Sequence, residues 1–315
     1  MVSLRIVYFG TPEFAVPGLE LLIASHHRVI AVVSQPDRPK GRGHKLQVTP
    51  TKMVAAAGGI PVLQPTKLRE DVFLSSVAAL QPDLGVVAAY GRILPDALLA
   101  IPRLGMINIH GSLLPKYRGA APVHRAVING DRQTGISIMR VVKELDAGPV
   151  FTMRSVPIGE NDTTPEVERA LSRLGADLVL DVVDQLALGA AIETPQDDSA
   201  ATYAHKIEKQ EGTADWDQPA ARLHNLIRGL QPWPLVSGRL NGVRFLVHRS
   251  TLADDTTTAS GGTVVGGSTG VLAVAGSDGR VLHLLQVQPE GKRAMAARDF
   301  LAGHRVVPGA CVERA

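Results

Sequence analysis

The first half of the chain alternates short β-branched runs with helix-like segments, and this alternation restricts its fold more than any other feature. Leu4 to Phe9 is a β-prone run that ends at Gly10; Thr11, Pro12 and Glu13 then offer a cap, a first-position proline and a first-turn acid. Val29 to Ser34 is a second β-branched run, and Thr49-Pro50 repeats the cap-then-proline start ahead of Met53 to Ala57. Val72 to Leu80 reads as a helix, and Leu84 to Ala89 as a buried strand. Met106 to His110 is another strand, directly before a loop rich in Gly and Pro. Strands separated by helices specify an α/β layer with a mostly parallel sheet, because parallel neighbours need a crossover between them.

The pattern then changes. Gly135 to Val142 and Pro149 to Pro157 read as two strands around a turn at Asp146-Ala147-Gly148-Pro149. Pro165 to Leu188 is the longest helical pattern, with Thr163 or Thr164 as cap and Gly189 as stop. Ala190 to Ala204 is polar and irregular. Beyond Lys206 come one helix, Pro219 to Leu230, and the strands Arg239 to His248, Gly262 to Val265, Gly270 to Val274 and Arg280 to Gln288. Short strands broken by Gly, Ser and Asp predict a small barrel or sandwich. The expected organisation is a domain over 1–189, a linker over 190–206 and a second domain over 207–315. Trp233, between Pro232 and Pro234, is expected in the core.

Composition removes several classes of function. A chain of 315 residues has room for two domains, and 45% hydrophobic with 20% charged residues is incompatible with global disorder. The net charge of +3 permits a polyanionic partner without requiring one. Cys311 is the only cysteine, which excludes an internal disulfide and a zinc site built from several thiolates. The ten histidines offer no His-x-x-x-His pair with an acidic partner, so no metal is expected. The apolar run before Glu13 is too short for a signal peptide, and no stretch approaches the ~18 apolar residues of a membrane span. A cytoplasmic protein is expected.

Chemistry concentrates in Asn108-Ile109-His110-Gly111-Ser112-Leu113-Leu114-Pro115. Side chains alternate along a strand, so Asn108 and His110 share a face at the carboxyl end of a parallel strand, where open α/β sheets bind ligands. An amide donor for an oxyanion beside an imidazole suits acyl transfer; a pair that only satisfies backbone groups is the competing reading. Asp146 can orient a histidine, or can simply form its turn with Gly148. The loop Pro36 to Lys45 carries Arg38, Lys40, Arg42, His44 and Lys45, a set suited to phosphates or to a solvated surface. It lacks the P-loop pattern, and Gly10-Thr11-Pro12 lacks the dinucleotide pattern. Lys206 and Lys209 form a further basic patch.

These residues make the chain resemble the methionyl-tRNA formyltransferase family almost end to end. The motifs are Phe9 to Ala15, Gln35 to Gly43, Ala89 to Pro95, Asn108 to Pro122 and Leu145 to Pro149. In the second half they are Lys206 to Lys209, Asp215-Trp216, Pro232 to Pro234 and Asp299 to Gly303. The resemblance implies a Rossmann-like domain followed by an OB-like β-barrel, 10-formyltetrahydrofolate as donor and methionyl initiator tRNA as acceptor. It implies catalytic roles for Asn108, His110 and Asp146. It further implies a folate wall from Ser112, Leu113, Leu114 and Pro115 with the backbone around Arg92 and Leu94. Arg38, Lys40, Arg42, His44, Lys45, Lys206 and Lys209 are the implied tRNA contacts. His44 stands where lysine is more usual, and Glu208 and Gln210 vary the lysine motif. The rivals are a formyltransferase acting on a small amine, a formylfolate hydrolase, and a non-catalytic tRNA- or folate-binding module. Nothing in the sequence demands more than a monomer.

Overall fold

The computed structural model describes residues 2–40, 45–266 and 270–315. The chain divides into two compact units: 1–122, 134–156 and 168–204 in the first, and 123–133, 157–167 and 205–315 in the second.

In order, the strands of the first part are β1 (Arg5–Gly10), β2 (Arg28–Val33), β3 (Arg38–Lys40), β4 (Lys45–Gln47), β5 (Val62–Leu63), β6 (Leu84–Ala88), β7 (Met106–His110), β8 (Arg118–Gly119), β9 (Gln133–Arg140), β10 (Val150–Pro157) and β11 (Tyr203–Ala204). The helices are α1 (Val16–Ala24), α2 (Pro50–Ala57), α3 (Asp71–Ala79), α4 (Asp96–Leu99), α5 (Pro122–Asn129) and α6 (Thr164–Leu188). One seven-stranded sheet runs β10-β9-β7-β6-β1-β2-β5. Its β5, β2, β1, β6 and β7 are mutually parallel, and β9 joins β7 antiparallel. This is the mostly parallel, Rossmann-like layer that the alternation of strands and helices predicts.

The chain builds outward from β1 through β2 to β5, then returns to lay β6 and β7 on the other side of β1. The strand order therefore reverses beside the carboxyl ends of β1 and β6, and that end of the sheet is where such folds place their ligands. Val7, Phe9, Val33, Val87, Leu98 and Met106 are buried against one another beneath it. At about 25 cal/mol per Å² of apolar surface buried, such a cluster is a large stabilising term, which makes the strand ends above it a rigid platform.

Two helix starts differ in detail from expectation. Pro12 and Pro50 do precede or open helical turns, yet neither Thr11 nor Thr49 caps with its side chain. Thr11 Oγ1 instead donates to the Tyr90 carbonyl, and Thr49 Oγ1 meets Ser34 Oγ at 2.7 Å. The hydroxyls tie neighbouring strand ends together in preference to their own helices. The long α6 begins after Thr163, whose backbone N–H donates to the Glu166 carboxylate three residues on. That is one half of a capping box. The polar segment after α6 is hydrogen-bonded along the first unit: Thr194 bridges Val150, and β11 pairs in parallel with β8.

Besides nearly all of α5 and the first turn of α6, the second unit holds α7 (Ala220–Gly229), β12 (Val236–Leu240), β13 (Val243–Thr256), β14 (Val264–Gly266), β15 (Leu272–Ala275), β16 (Arg280–Pro289), β17 (Met295–Ala296) and α8 (Ala297–Gly303). The order β12-β13-β16-β15-β14, with β17 against β16, is antiparallel throughout. The C-terminal tail contacts both outer strands: Glu313 exchanges backbone bonds with Arg239 of β12, and the Val264 N–H of β14 donates to the Ala310 carbonyl at 2.7 Å.

Two expectations fail here. Arg239 to His248 is not one strand, because Asn241 and Gly242 both take positive φ and turn a hairpin between β12 and β13. Trp233 is not core: it is 51% exposed. The buried tryptophan is Trp216, whose indole N–H donates to the Ser237 carbonyl.

Candidate active site

Strand β7 lies beside β6, one strand from the reversal of strand order, and carries Asn108 and His110 on one face. Asn108 lies in register with Val87 of β6 on one side and Met139 of β9 on the other; His110 lies opposite Ser137. His110 is buried and Asn108 is half-buried. The Asn108 side-chain amide has no hydrogen-bond partner among the described residues. A half-buried amide at a strand end, with its donors uncommitted to protein groups, is available to a ligand.

His110 is held from two directions. Its Nε2 donates to the Tyr117 carbonyl at 3.0 Å, because a carbonyl can only accept. Its Nδ1 faces Asp146 Oδ2 at 3.7 Å, within ion-pair range and beyond a normal hydrogen bond. Asp146 lies on the turn between β9 and β10 at φ +48°, a left-handed conformation that Asp tolerates better than most residues. The same Oδ2 accepts from the Gly119 N–H at 2.8 Å. Tyr117 is also left-handed, at φ +60°, and its N–H donates to Thr202 Oγ1 at 2.9 Å. Two non-glycine residues in sparsely populated backbone conformations flank one imidazole, and surrounding hydrogen bonds must hold them there. Asp146 thus sits on a tight turn and also brings its carboxylate to 3.7 Å from the imidazole.

Two glycines permit this geometry. A Cβ on Gly148 would lie 2.0 Å from the Arg140 carbonyl oxygen, so the turn meets β9 only with glycine there. Gly119 has φ +118°, and a Cβ would approach the Ala204 carbonyl oxygen to 2.8 Å.

The loop after β7 is fixed by its own hydrogen bonds. Ser112 Oγ donates to the Lys116 carbonyl at 2.6 Å, while Ser137 Oγ accepts from the Leu114 N–H and donates to the Ser112 carbonyl. Leu114 is buried with Met139 and Val150; Leu113 and Pro115 are half-buried. Leu94 packs instead in the core under β6 and β7. The Arg92 guanidinium donates to the Pro65 and Thr66 carbonyls, so its charge is committed to a neighbouring loop.

Of the basic loop, Arg38 is exposed and donates to Gln35 Oε1; the backbones of Lys40 and Lys45 pair where β3 meets β4. Arg42 and His44 lie outside the described residues. Lys206 and Lys209 are exposed in the second unit, where Arg125 donates to the Lys206 carbonyl and pairs with Glu211.

One cluster with metal-ligand chemistry exists among the described residues, and sequence spacing gives no sign of it: His26, His27 and Asp184. The His27 Nδ1 accepts from the Leu4 N–H, which places its proton on Nε2, and Nε2 donates to Asp184 at 2.9 Å. Both nitrogens are spent on hydrogen bonds, so the donor set suits a brace between β1 and α6 better than an ion. Sequence reasoning also missed Tyr117, Thr202, Arg118 and Gln196 as neighbours of the site. The first and third fall within the Asn108 to Pro122 motif; Thr202 and Gln196 fall in the polar segment, which carries no local signal.

The formyl transferase family matches over residues 4–183, and the formyl transferase C-terminal domain matches over 206–305. Together with a mostly parallel sheet bearing an amide and an imidazole at its carboxyl edge, this defines a formyl transferase of two parts. The methionyl-tRNA formyltransferase of Methylococcus capsulatus is 45% identical over 301 residues, covering 96% of this chain and 97% of that protein. That of Ectopseudomonas mendocina is 46% identical over 303 residues, covering 96% of each. Among solved structures, the N-formyltransferase from Helicobacter canadensis, in complex with folinic acid and dTDP-3-aminofucose, superposes with a TM-score of 0.67. It is 18% identical, over 91% of this chain and 99% of that one, a likeness of fold. The chain belongs to the methionyl-tRNA formyltransferase family.

Proposed function

We propose that this chain transfers a formyl group from 10-formyltetrahydrofolate to the α-amino group of methionyl initiator tRNA, with Asn108, His110 and Asp146 as the reacting constellation. The carrying observation is that Asn108 and His110 project together from the end of β7 while Asp146 stands 3.7 Å from the imidazole. The neutral amine attacks the formyl carbon, forming a carbon–nitrogen bond and leaving an oxyanion on a tetrahedral carbon. The Asn108 amide supplies a preorganised N–H to that oxyanion. With Nε2 committed to the Tyr117 carbonyl, Nδ1 is the ring nitrogen able to take the amine proton and return it. Collapse breaks the bond to the folate nitrogen, which leaves as it regains a proton. Asp146 holds the ring's position and balances its charge when it is protonated. No residue of the chain becomes covalently modified, and no step calls on a metal.

The hydrogen-bonded loop from Ser112 to Pro115, with the backbone near Arg92 and Leu94, is the proposed folate wall. Residues 1–189 carry the chemistry in this reading, 190–206 connect, and 207–315 form the OB-like part that meets tRNA together with the basic loop from Arg38 to Lys45. The Arg92 guanidinium, being engaged elsewhere, contributes through its backbone. A cytoplasmic monomer fits, and no described helix is long and apolar enough to cross a membrane.

The test is a labelled formyl-transfer assay that offers methionyl initiator tRNA alongside small amines, including an amino sugar nucleotide. Transfer to the tRNA at a kcat/KM at least a hundredfold above any small amine is expected. Preference for a small amine would overturn the acceptor assignment.

A further inference from the structure

The polar segment after α6 reads in sequence as a connector, but one of its side chains is fully engaged beside the site. Gln196 Nε2 donates to the Asp146 carbonyl at 2.8 Å and to the Gly148 carbonyl at 2.7 Å. Gln196 Oε1 accepts from Arg118 Nε at 3.1 Å and from its Nη2 at 2.8 Å. Arg118 is 4% exposed, and its Nη2 also meets Asp198 Oδ1 at 2.6 Å. The residue after Arg118 is Gly119, whose N–H holds the Asp146 carboxylate. The bonds close a ring: Asp146 carbonyl, Gln196 amide, Arg118 guanidinium, Gly119 N–H, Asp146 carboxylate.

A connector has no need of this arrangement. An amide is the one group of its length that can donate twice and accept twice from one planar end. Here the donors clamp the backbone of a residue in a left-handed conformation, and the acceptor fixes the arginine next to the N–H that aims the carboxylate. Both ends of Asp146 are thereby referred to one side chain from a distant part of the chain. Thr202, from the same segment, does the corresponding task for the other partner of His110 by accepting from the Tyr117 N–H.

We infer that Gln196 is a positioning residue for formyl transfer, setting Asp146 against His110 through the Asp146 and Gly148 carbonyls and through Arg118. The inference rests on the reading that Asp146 acts with His110. Gln196→Glu is the informative variant, because a carboxylate still accepts from Arg118 but has no N–H for the two carbonyls and sets a charge against them. Gln196→Ala removes both halves. Each is expected to lower kcat about ten- to a hundredfold, as misplacement of a reacting group by roughly 1 Å does. The KM for tRNA and the affinity for folate should stay within about twofold. The pH profile of kcat should move toward that of Asp146→Ala, a readout that loss of stability alone would leave in place. On an Asp146→Ala background, Gln196→Ala should add less than about a twofold further loss, since residues acting as one unit are not additive. Thermal melts of all variants identify any that fail to fold, and Gln196→Glu, which keeps the Arg118 partner, is the variant expected to melt nearest the wild type.

Wild-type kcat and pH profile in Gln196→Glu and Gln196→Ala, with Asp146→Ala impaired, would overturn this inference while leaving the site reading intact. The same fold-loss from Gln196→Ala with and without Asp146 would overturn it too. Wild-type turnover in Asp146→Ala would sink the underlying reading instead.

Discussion

Replacing Gly148 with alanine tests the structure at the point where fold and chemistry meet. The added Cβ would sit 2.0 Å from the Arg140 carbonyl oxygen, 3.0 Å from its carbonyl carbon and 3.3 Å from Val142 Cγ1. The nearest atoms are backbone of β9, which the sheet holds, so the turn must retreat. Restoring an ordinary carbon–oxygen contact of roughly 3 Å requires a shift of about 1 Å. Asp146 rides on that turn, two residues earlier. A 1 Å retreat stretches its 2.8 Å bond from the Gly119 N–H beyond hydrogen-bond range and widens the 3.7 Å approach to His110 Nδ1. Overpacking of this kind costs about 1–3 kcal/mol of stability, and a displacement of this size costs about a hundredfold in rate. Steady-state formyl transfer to methionyl initiator tRNA, with a parallel thermal melt, should show both losses, with the KM values nearly unchanged. Wild-type kcat in a Gly148→Ala protein that melts normally would refute the reasoning.

Three further outcomes follow from the second unit. Glu166 accepts from the Thr163 side chain and N–H and pairs with Arg249, which lowers its pKa from the ordinary 4.5 to about 2. A depressed folded-state pKa contributes stability above pH 4.5 and loses it as pH falls through about 2, so Glu166→Gln should be less stable near neutrality and the gap to the wild type should close as pH falls through that range. With the carboxylate 32% exposed, solvent screening brings the expected difference to about 1–2 kcal/mol in urea melts at pH 7; a constant difference across that range would contradict it. Trp216→Ala should cost about 3–5 kcal/mol, because the ring is buried against Phe245 and its N–H is bonded. Trp233→Ala, at an exposed position, should cost less than about 1 kcal/mol, and equal losses in chemical denaturation would show the burial assignment to be mistaken.

What sequence alone conveys divides along the range of the interactions involved. Met106 to His110 is readable to the residue, since an apolar run ending in Gly before a Gly/Pro-rich loop is a local signal. The shared face of Asn108 and His110 follows from the two-residue period of a strand. Asp146 is different. Local chemistry explains its turn, and only the resemblance to a family supplies its meeting with His110, because β9 must return antiparallel to β7 to bring it back. Gln196 and Thr202 sit in a segment with no periodicity, and their roles depend on which carbonyl or N–H the fold sets opposite them. Trp233 shows the converse limit: flanking prolines mark a constrained backbone and say nothing of burial. The Asn241-Gly242 hairpin was a legible local signal, hidden within a continuous β-prone run.

The proposed transfer depends on Asn108 meeting the oxyanion from the end of β7. The most direct measurement is the single-turnover rate of formyl transfer in Asn108→Ala, with enzyme loaded with formyl donor and mixed with saturating methionyl initiator tRNA. Loss of one preorganised donor should slow transfer by about a hundred- to a thousandfold, with the melting temperature and both binding constants close to wild type. Transfer within about threefold of the wild-type rate would contradict the account.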